Sequence, residues 1–162
     1  RSPCPSLDSA VLPTGYTVVV RAAASDAARA TRHGKIGVIG FGATLASGLY
    51  QKALGTLAIA AKTVAEACPL FVPVVEKCRF APDDPVAKLV VEEYLAPVRA
   101  TGVDTLILGC THYPLLRQAI ANYMGPGVAL VDSGREAADS LRATLTGPGL
   151  LNSRAEGGQV ED

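Results

Sequence analysis

The sequence lacks an excess of either charge, a long apolar run and any closely spaced cysteine pair. Lysine plus arginine number 15, as do aspartate plus glutamate, which argues against a broad basic surface for nucleic acid. No apolar run reaches the length of a membrane-spanning helix, and no pattern of a cleavable leader is visible. We therefore expect a cytoplasmic protein that binds neither membranes nor nucleic acid.

The four cysteines, at positions 4, 68, 78 and 110, form no CxxC pair and match no common zinc spacing. The chain has 162 residues, of which 49% are hydrophobic, so it can build a core without disulfides. We expect reduced cysteines and no metal site, with Cys68 and Cys78 acting as small apolar side chains.

Apolar runs alternate with helix-like segments along the chain. Strands are predicted at Thr17–Val20, Lys35–Gly40, Val103–Gly109 and Val128–Asp132, with an edge strand or loop at Leu70–Val75. Helices are predicted at Ser25–Arg32, Thr44–Gly55, Asp84–Arg99, Tyr113–Tyr123 and Ser133–Leu145. Because the central strands are apolar throughout, we expect an α/β domain with three αβα layers and a mainly parallel sheet.

Chemistry-bearing residues follow the strand Val103–Gly109. Cys110 stands where the strand gives way to a helix, a place where free backbone amides favour negative charge on a thiol. Thr111 can donate to a substrate carboxylate, and His112 can act as a general acid or base. The alternative is that Cys110 only fills space and His112 only caps the helix.

Two other strand ends carry weaker signals. The turn Gly40–Thr44 lacks the spacing of a dinucleotide motif and the lysine of a phosphate-binding loop, so a tight turn is favoured over a phosphate site. The segment Asp132–Gly134 is typical of a helix N-cap. Glu76 follows an apolar run and is either a catalytic carboxylate or a solvated one. In a parallel sheet these ends meet at one edge, so they are expected to converge.

Four blocks of the sequence resemble the glutamate racemases of the aspartate/glutamate racemase superfamily. The string Cys-Thr-His-Tyr-Pro-Leu-Leu is highly specific for that family, and related aspartate and hydantoin racemases usually differ after the threonine. The blocks occur in family order and cover roughly residues 34–145. They are "GKIGVIGFGATLASGLYQKAL" (Gly34–Leu54), "ACPLFVPVVE" (Ala67–Glu76), "VDTLILGCTHYPLL" (Val103–Leu116) and "VALVDSGREAA" (Val128–Ala138).

The resemblance implies interconversion of L- and D-glutamate without a cofactor, to supply peptidoglycan. In that family two similar α/β domains, each with one cysteine, enclose glutamate, and the thiols act on opposite faces of the α-carbon. Cys110 corresponds to the second cysteine, Thr111 and His112 to substrate-contacting residues, and Glu76 to the carboxylate that pairs with the histidine. Thr44 corresponds to a threonine near the substrate.

We expect the first domain of the family to be largely missing from this sequence. Cys4 corresponds to the first catalytic cysteine, but Pro5 and Ser6 stand where the family has asparagine and threonine, and the chain starts with Arg1 rather than Met. We expect a remnant of the first domain and a linker at 1–33, the second domain at 34–145 and a mobile tail at 146–162. The alternatives are an inactive fragment, a glutamate-binding module, or a racemase of another amino acid such as aspartate. A homodimer is compatible with each of them.

Overall fold

The computed structural model describes residues 15–57 and 61–146. Cys4 and nearly all of the predicted tail lie outside these residues. The helices are α1 (Gly15–Ala30), α2 (Gly42–Ala46), α3 (Leu49–Thr56), α4 (Phe71–Glu76), α5 (Pro85–Ala100), α6 (Arg117–Met124) and α7 (Ser133–Thr146). The strands are β1 (Lys35–Gly40), β2 (Lys62–Ala67), β3 (Thr105–Leu108) and β4 (Ala129–Asp132), and a 3₁₀ turn spans Tyr113–Leu116. None of these helices is long and apolar enough to cross a bilayer.

The four strands form one parallel sheet in the order β2-β1-β3-β4. One face of the sheet packs against α1 and α3, where Ile36 and Val38 of β1 are buried. The other face packs against α4, α5 and α6, with Ile39, Leu106 and Leu108 in the core. The predicted α/β fold with three layers is confirmed. Because every strand runs in the same direction, the carboxyl ends of all four lie along one edge.

The strand predicted at Thr17–Val20 is wrong, because α1 covers this run. Val20 is buried together with three alanines that follow it at helical spacing, Ala23, Ala24 and Ala27. β-branched residues favour strands only weakly, and packing of an apolar helical stripe on the sheet overrides that preference. Helix α1 is thus part of the packed core, and the domain division after residue 33 stays a prediction.

The edge strand or loop predicted at Leu70–Val75 is also wrong, because α4 occupies this segment. Phe71, Val74 and Val75 are buried, a spacing of three and four residues that matches one face of a helix. Pro73 stands in the first turn, where backbone N–H groups have no acceptor within the helix, so its missing donor costs little.

Strand β2 was not predicted from the sequence; among the described strands it pairs only with β1, and it is half covered. The helix predicted at Thr44–Gly55 is divided into α2 and α3 by Gly48, whose φ of +65° is left-handed. The helix predicted after Asp84 is confirmed: the Asp84 carboxylate accepts hydrogen bonds from the backbone N–H of Val86 at 2.8 Å and of Ala87 at 3.0 Å.

Asp104 stabilises the amino edge of the sheet and is only 6% exposed. Burial alone raises the pKa of this carboxyl, but hydrogen bonds outweigh it and hold the pKa below its ordinary value. The donors are the Thr31 hydroxyl at 2.6 Å, the backbone N–H groups of His33 at 2.6 Å and Arg32 at 2.8 Å, and the Thr105 hydroxyl at 3.1 Å. Asp104 therefore fixes the connection between α1 and β1 against the start of β3.

Candidate active site

Cys110 lies at the carboxyl edge of the sheet, two residues after the end of β3. Between them, Gly109 donates its N–H to the carbonyl of Ile39 at 2.8 Å. A Cβ at position 109 would lie 2.7 Å from that same carbonyl oxygen, closer than side-chain atoms approach in folded proteins. A residue without a side chain is needed here to keep the end of β3 against β1. This close approach sets the place of the half-buried Cys110 thiol.

His112 lies between the thiol and a carboxylate. Its Nδ1 is 3.9 Å from Sγ of Cys110, and its Nε2 is 3.9 Å from Oε1 of Glu76. The side chains of His112 and Glu76 are 38% and 63% exposed, so solvent screens the attraction between them. The structure thus brings together three of the predicted residues, two from the loop after β3 and one from the end of α4, which are distant in sequence.

The two threonines follow neighbouring strands. Thr111 is exposed and follows Cys110 directly, whereas the half-buried Thr44 lies in α2, after β1. Since β1 and β3 are paired, their carboxyl ends are adjacent. The predicted strand-to-helix turn at Gly40–Thr44 is confirmed, because α2 begins at Gly42. The remaining predicted residue, Cys4, lies outside the part of the chain that is described.

The segment after β4 holds the end of β3, which precedes Cys110, in place. The Asp132 carboxylate accepts hydrogen bonds from the N–H groups of Gly134 at 2.9 Å and Arg135 at 3.1 Å, so the predicted N-cap is confirmed. The buried Ser133 hydroxyl donates to the carbonyl of Leu108 at 2.8 Å. This bond ties the start of α7 to the end of β3, just before Cys110.

Cys68 follows β2 as Cys110 follows β3, but its surroundings differ. It is fully buried, and its thiol is 3.7 Å from the carbonyl of Glu66. Burial, with a smaller contribution from the Glu66 charge, raises the pKa of Cys68 to about 12. The interpretation of Cys68 as an apolar filler is confirmed by its burial. Cys78, by contrast, is exposed, so its interpretation as a buried side chain is wrong.

A cavity of about 550 Å³ lies away from these residues, between α1 and α7. Arg21, Arg29, Glu136 and Asp139 are among its lining residues. Burial first, then the neighbouring Asp26 and Asp139 charges, raise the pKa of Glu136. Within residues 15–57 and 61–146, no group of three or more His, Cys, Asp and Glu side chains is arranged to hold a metal ion.

Sequence reasoning missed Tyr113. It is fully buried and donates its hydroxyl to the carbonyl of Cys68 at 2.9 Å. The signal was available, since a tyrosine directly after His112 at a strand end has a polar group that must find a partner when buried.

At its carboxyl edge this parallel α/β domain places a thiol, an imidazole and a carboxylate in a row. The match to known families is specific. The profile of the Asp/Glu/Hydantoin racemase family covers residues 17–141, and the chain belongs to this family.

The chain is similar to proteins named glutamate racemase. It is 42% identical over 134 residues to that of Chlorobaculum parvum, a match covering 83% of this chain and 48% of the relative. The crystal structure of glutamate racemase isoform RacE1 from Bacillus anthracis superposes with a TM-score of 0.78 at 38% identity, covering 83% of this chain and 50% of that one. The glutamate racemase of Francisella tularensis, solved in complex with D-glutamate, gives a TM-score of 0.74 at 29% identity, covering 84% and 49% of the two chains. The chain spans about half the length of the curated relatives it matches.

Proposed function

We propose that this chain forms one half of a glutamate racemase active site, with Cys110 as the acid/base on one face of the substrate α-carbon. The observation that carries the proposal is the alignment of Cys110, His112 and Glu76 at the carboxyl edge of the sheet. Membership of the racemase family and similarity to proteins named glutamate racemase support it. The substrate is glutamate, and the D-glutamate formed serves peptidoglycan synthesis in the cytoplasm.

The proposed reaction needs two acid/base groups on opposite faces. The Cys110 thiolate takes the α-proton and becomes a thiol, leaving an electron pair on the α-carbon that the substrate carboxylate accommodates. A second thiol then gives its proton to the opposite face and becomes a thiolate, which inverts the carbon. Cys4 is the candidate for this second group. Thr111 and Thr44 are proposed to bind polar groups of the substrate.

His112 and Glu76 are proposed to act as a dyad that serves one direction of proton transfer. His112 lies beside the thiol, so it can accept a proton from it or donate one to it. In an active protein that contains both halves, Glu76→Gln and His112→Asn should slow one direction more than the other. Equal losses in the two directions would contradict the dyad, and Glu66→Gln, at the end of β2, is the control.

The decisive experiment follows both chirality and isotope exchange. The purified chain is incubated with L-glutamate in deuterated water, and deuterium at the α-carbon and D-glutamate are measured. One thiol can exchange the α-proton on its own face, with retention. The chain alone should therefore incorporate deuterium slowly and make little D-glutamate, because lost orientation removes effective molarities of about 10⁵–10⁸ M.

Variants and other substrates separate the remaining alternatives. Deuterium incorporation should disappear in Cys110→Ala and persist in Cys68→Ala. Binding of glutamate without any exchange would favour a binding module, and faster exchange with aspartate would favour another substrate. Robust D-glutamate formation would mean that Cys4, or a second copy of the chain, supplies the opposite face.

A further inference from the structure

Tyr113 links the loop that carries Cys110 and His112 to the helix that carries Glu76. It follows His112 directly, and its hydroxyl donates to the carbonyl of Cys68 at 2.9 Å. Its ring meets the ring of Phe71 edge to face, with centroids 5.0 Å apart. Phe71 is the first residue of α4 and Glu76 is the last. One buried side chain therefore connects the Cys110–His112 loop to the helix that carries Glu76.

This link spans strands that do not pair with each other. Cys68 follows β2 and Tyr113 follows β3, while β1 lies between these strands. The Cys68 backbone also donates its N–H to the carbonyl of Gly40 at the end of β1, at 3.2 Å, and accepts the N–H of Phe71 at 3.2 Å. Three strand ends thus meet at the Cys68 peptide groups, and Tyr113 is the side chain that brings the β3 loop to them.

From this geometry we propose that Tyr113 is a positioning residue, which sets the separation of Glu76 from His112 and thereby the orientation of the imidazole toward Cys110. The inference rests on the proposed roles of Cys110 and His112. When the Nε2–H group of neutral His112 points toward the Glu76 carboxylate, the unprotonated Nδ1 faces the thiol and can take its proton. The Nε2–Oε1 distance of 3.9 Å is longer than a hydrogen bond and at the outer limit of an ion pair, so a small displacement of α4 removes the interaction.

The buried phenol is suited to this role over a wide pH range. Burial, with smaller effects from Cys68, Cys110 and Tyr94, raises the pKa of Tyr113. The hydroxyl thus stays a neutral donor wherever the thiol is studied. The same ring packs with Phe71, which itself meets the ring of Tyr94 at 5.7 Å, so removal of the hydroxyl alone leaves the ring packing intact.

The test measures the rate at which iodoacetamide modifies Cys110 in the intact chain. Tryptic peptides 63–77 and 100–117 separate Cys68 from Cys110 for mass spectrometry. Tyr113→Phe should slow modification of Cys110 near neutral pH about fivefold. A factor of this size corresponds to the free energy that one ordinary hydrogen bond contributes. The slowing should be absent when Tyr113→Phe is made in a Glu76→Gln background, because no contact remains to be positioned.

Tyr94→Phe is the matched control, since it removes a hydroxyl from the same three rings without affecting the Cys68 carbonyl bond. It should leave the rate unchanged. Phe71→Leu loosens the same link through packing and should reproduce the Glu76-dependent slowing, which keeps the test open if Tyr113→Phe does not fold. An unchanged rate in folded Tyr113→Phe, or an equal slowing with and without Glu76, would overturn the proposal. The assay involves no racemisation, so its outcome is separate from that of the proposed function.

Discussion

At the amino edge of the sheet, Asp104 is buried and receives four hydrogen bonds, whereas at the carboxyl edge the exposed Glu76 and the half-buried His112 are 3.9 Å apart. The contacts described for the Asp104 carboxylate are all hydrogen bonds that hold the fold together. Glu76 and His112 are joined by one long contact, and the Cys110 thiol lies beside His112. In this domain the groups that stabilise it and the groups that we propose for chemistry thus lie at opposite ends of the same strands.

The largest expected effect concerns thiol reactivity at the carboxyl edge. With its pKa raised to about 12, only about one Cys68 side chain in 10⁴ is a thiolate at pH 8. We expect iodoacetamide to modify Cys110 at least about a hundredfold faster than Cys68. Peptide-resolved mass spectrometry measures both rates in one sample. Modification of Cys68 before Cys110 would remove the distinction between the buried and the reactive thiol.

The next effect concerns stability at the amino edge. Asp104→Asn should lower the free energy of unfolding by about 2–3 kcal/mol, because an amide cannot satisfy donors arranged for a carboxylate. Urea unfolding at neutral pH measures the loss, with Asp83→Asn as the exposed control. A loss below that of the control would show that the hydrogen bonds to Asp104 contribute little.

The same residue predicts a pH dependence. Because the pKa of Asp104 is held below its ordinary value, its contribution is complete above about pH 3.9, the pKa of this carboxyl in an unfolded chain. The contribution is lost as the pH falls through the lower folded pKa. Unfolding measured from pH 6 down to pH 2 should therefore show an acid-dependent loss that is smaller in Asp104→Asn.

A third comparison replaces two glycines with alanine. Gly109→Ala should cost about 1–3 kcal/mol, because the new Cβ meets the rigid backbone at Ile39. Gly42→Ala should be close to neutral, since nothing lies within 4 Å of a Cβ built there. Thermal unfolding of both variants measures the difference. Equal stabilities would mean that the close approach of β3 and β1 at Gly109 is not needed.

The smallest expected effect is on stability at the carboxyl edge. Glu76→Gln and His112→Asn should each change the free energy of unfolding by less than about 0.5 kcal/mol, as exposed substitutions usually do. A large loss in either variant would contradict the separation of stabilising groups from reactive ones.

Structural elements could be predicted from the sequence where one physical signal dominated. The uniformly apolar β3, the Asp84 cap and the strand-end position of Cys110 followed from local pattern alone. Helix α4 could not be predicted, because Pro73 reads as a helix breaker unless its place in the first turn is known. The sequence could show that a buried Tyr113 needs a hydrogen-bond partner, but it could not show which one, since Cys68 lies 45 residues away and is brought near only by the strand order.

The central position of β1 has a consequence for how the chain folds as it is synthesised. Ile36 pairs with Thr63 on one side and with Thr105 on the other. The pair β1–β2 can form once the first half of the chain has left the ribosome. The second edge of β1 must wait for β3, and pairings between segments so far apart in sequence slow folding. During that interval β1 exposes an unpaired apolar edge, which is the stage at which a nascent chain would most need protection from aggregation.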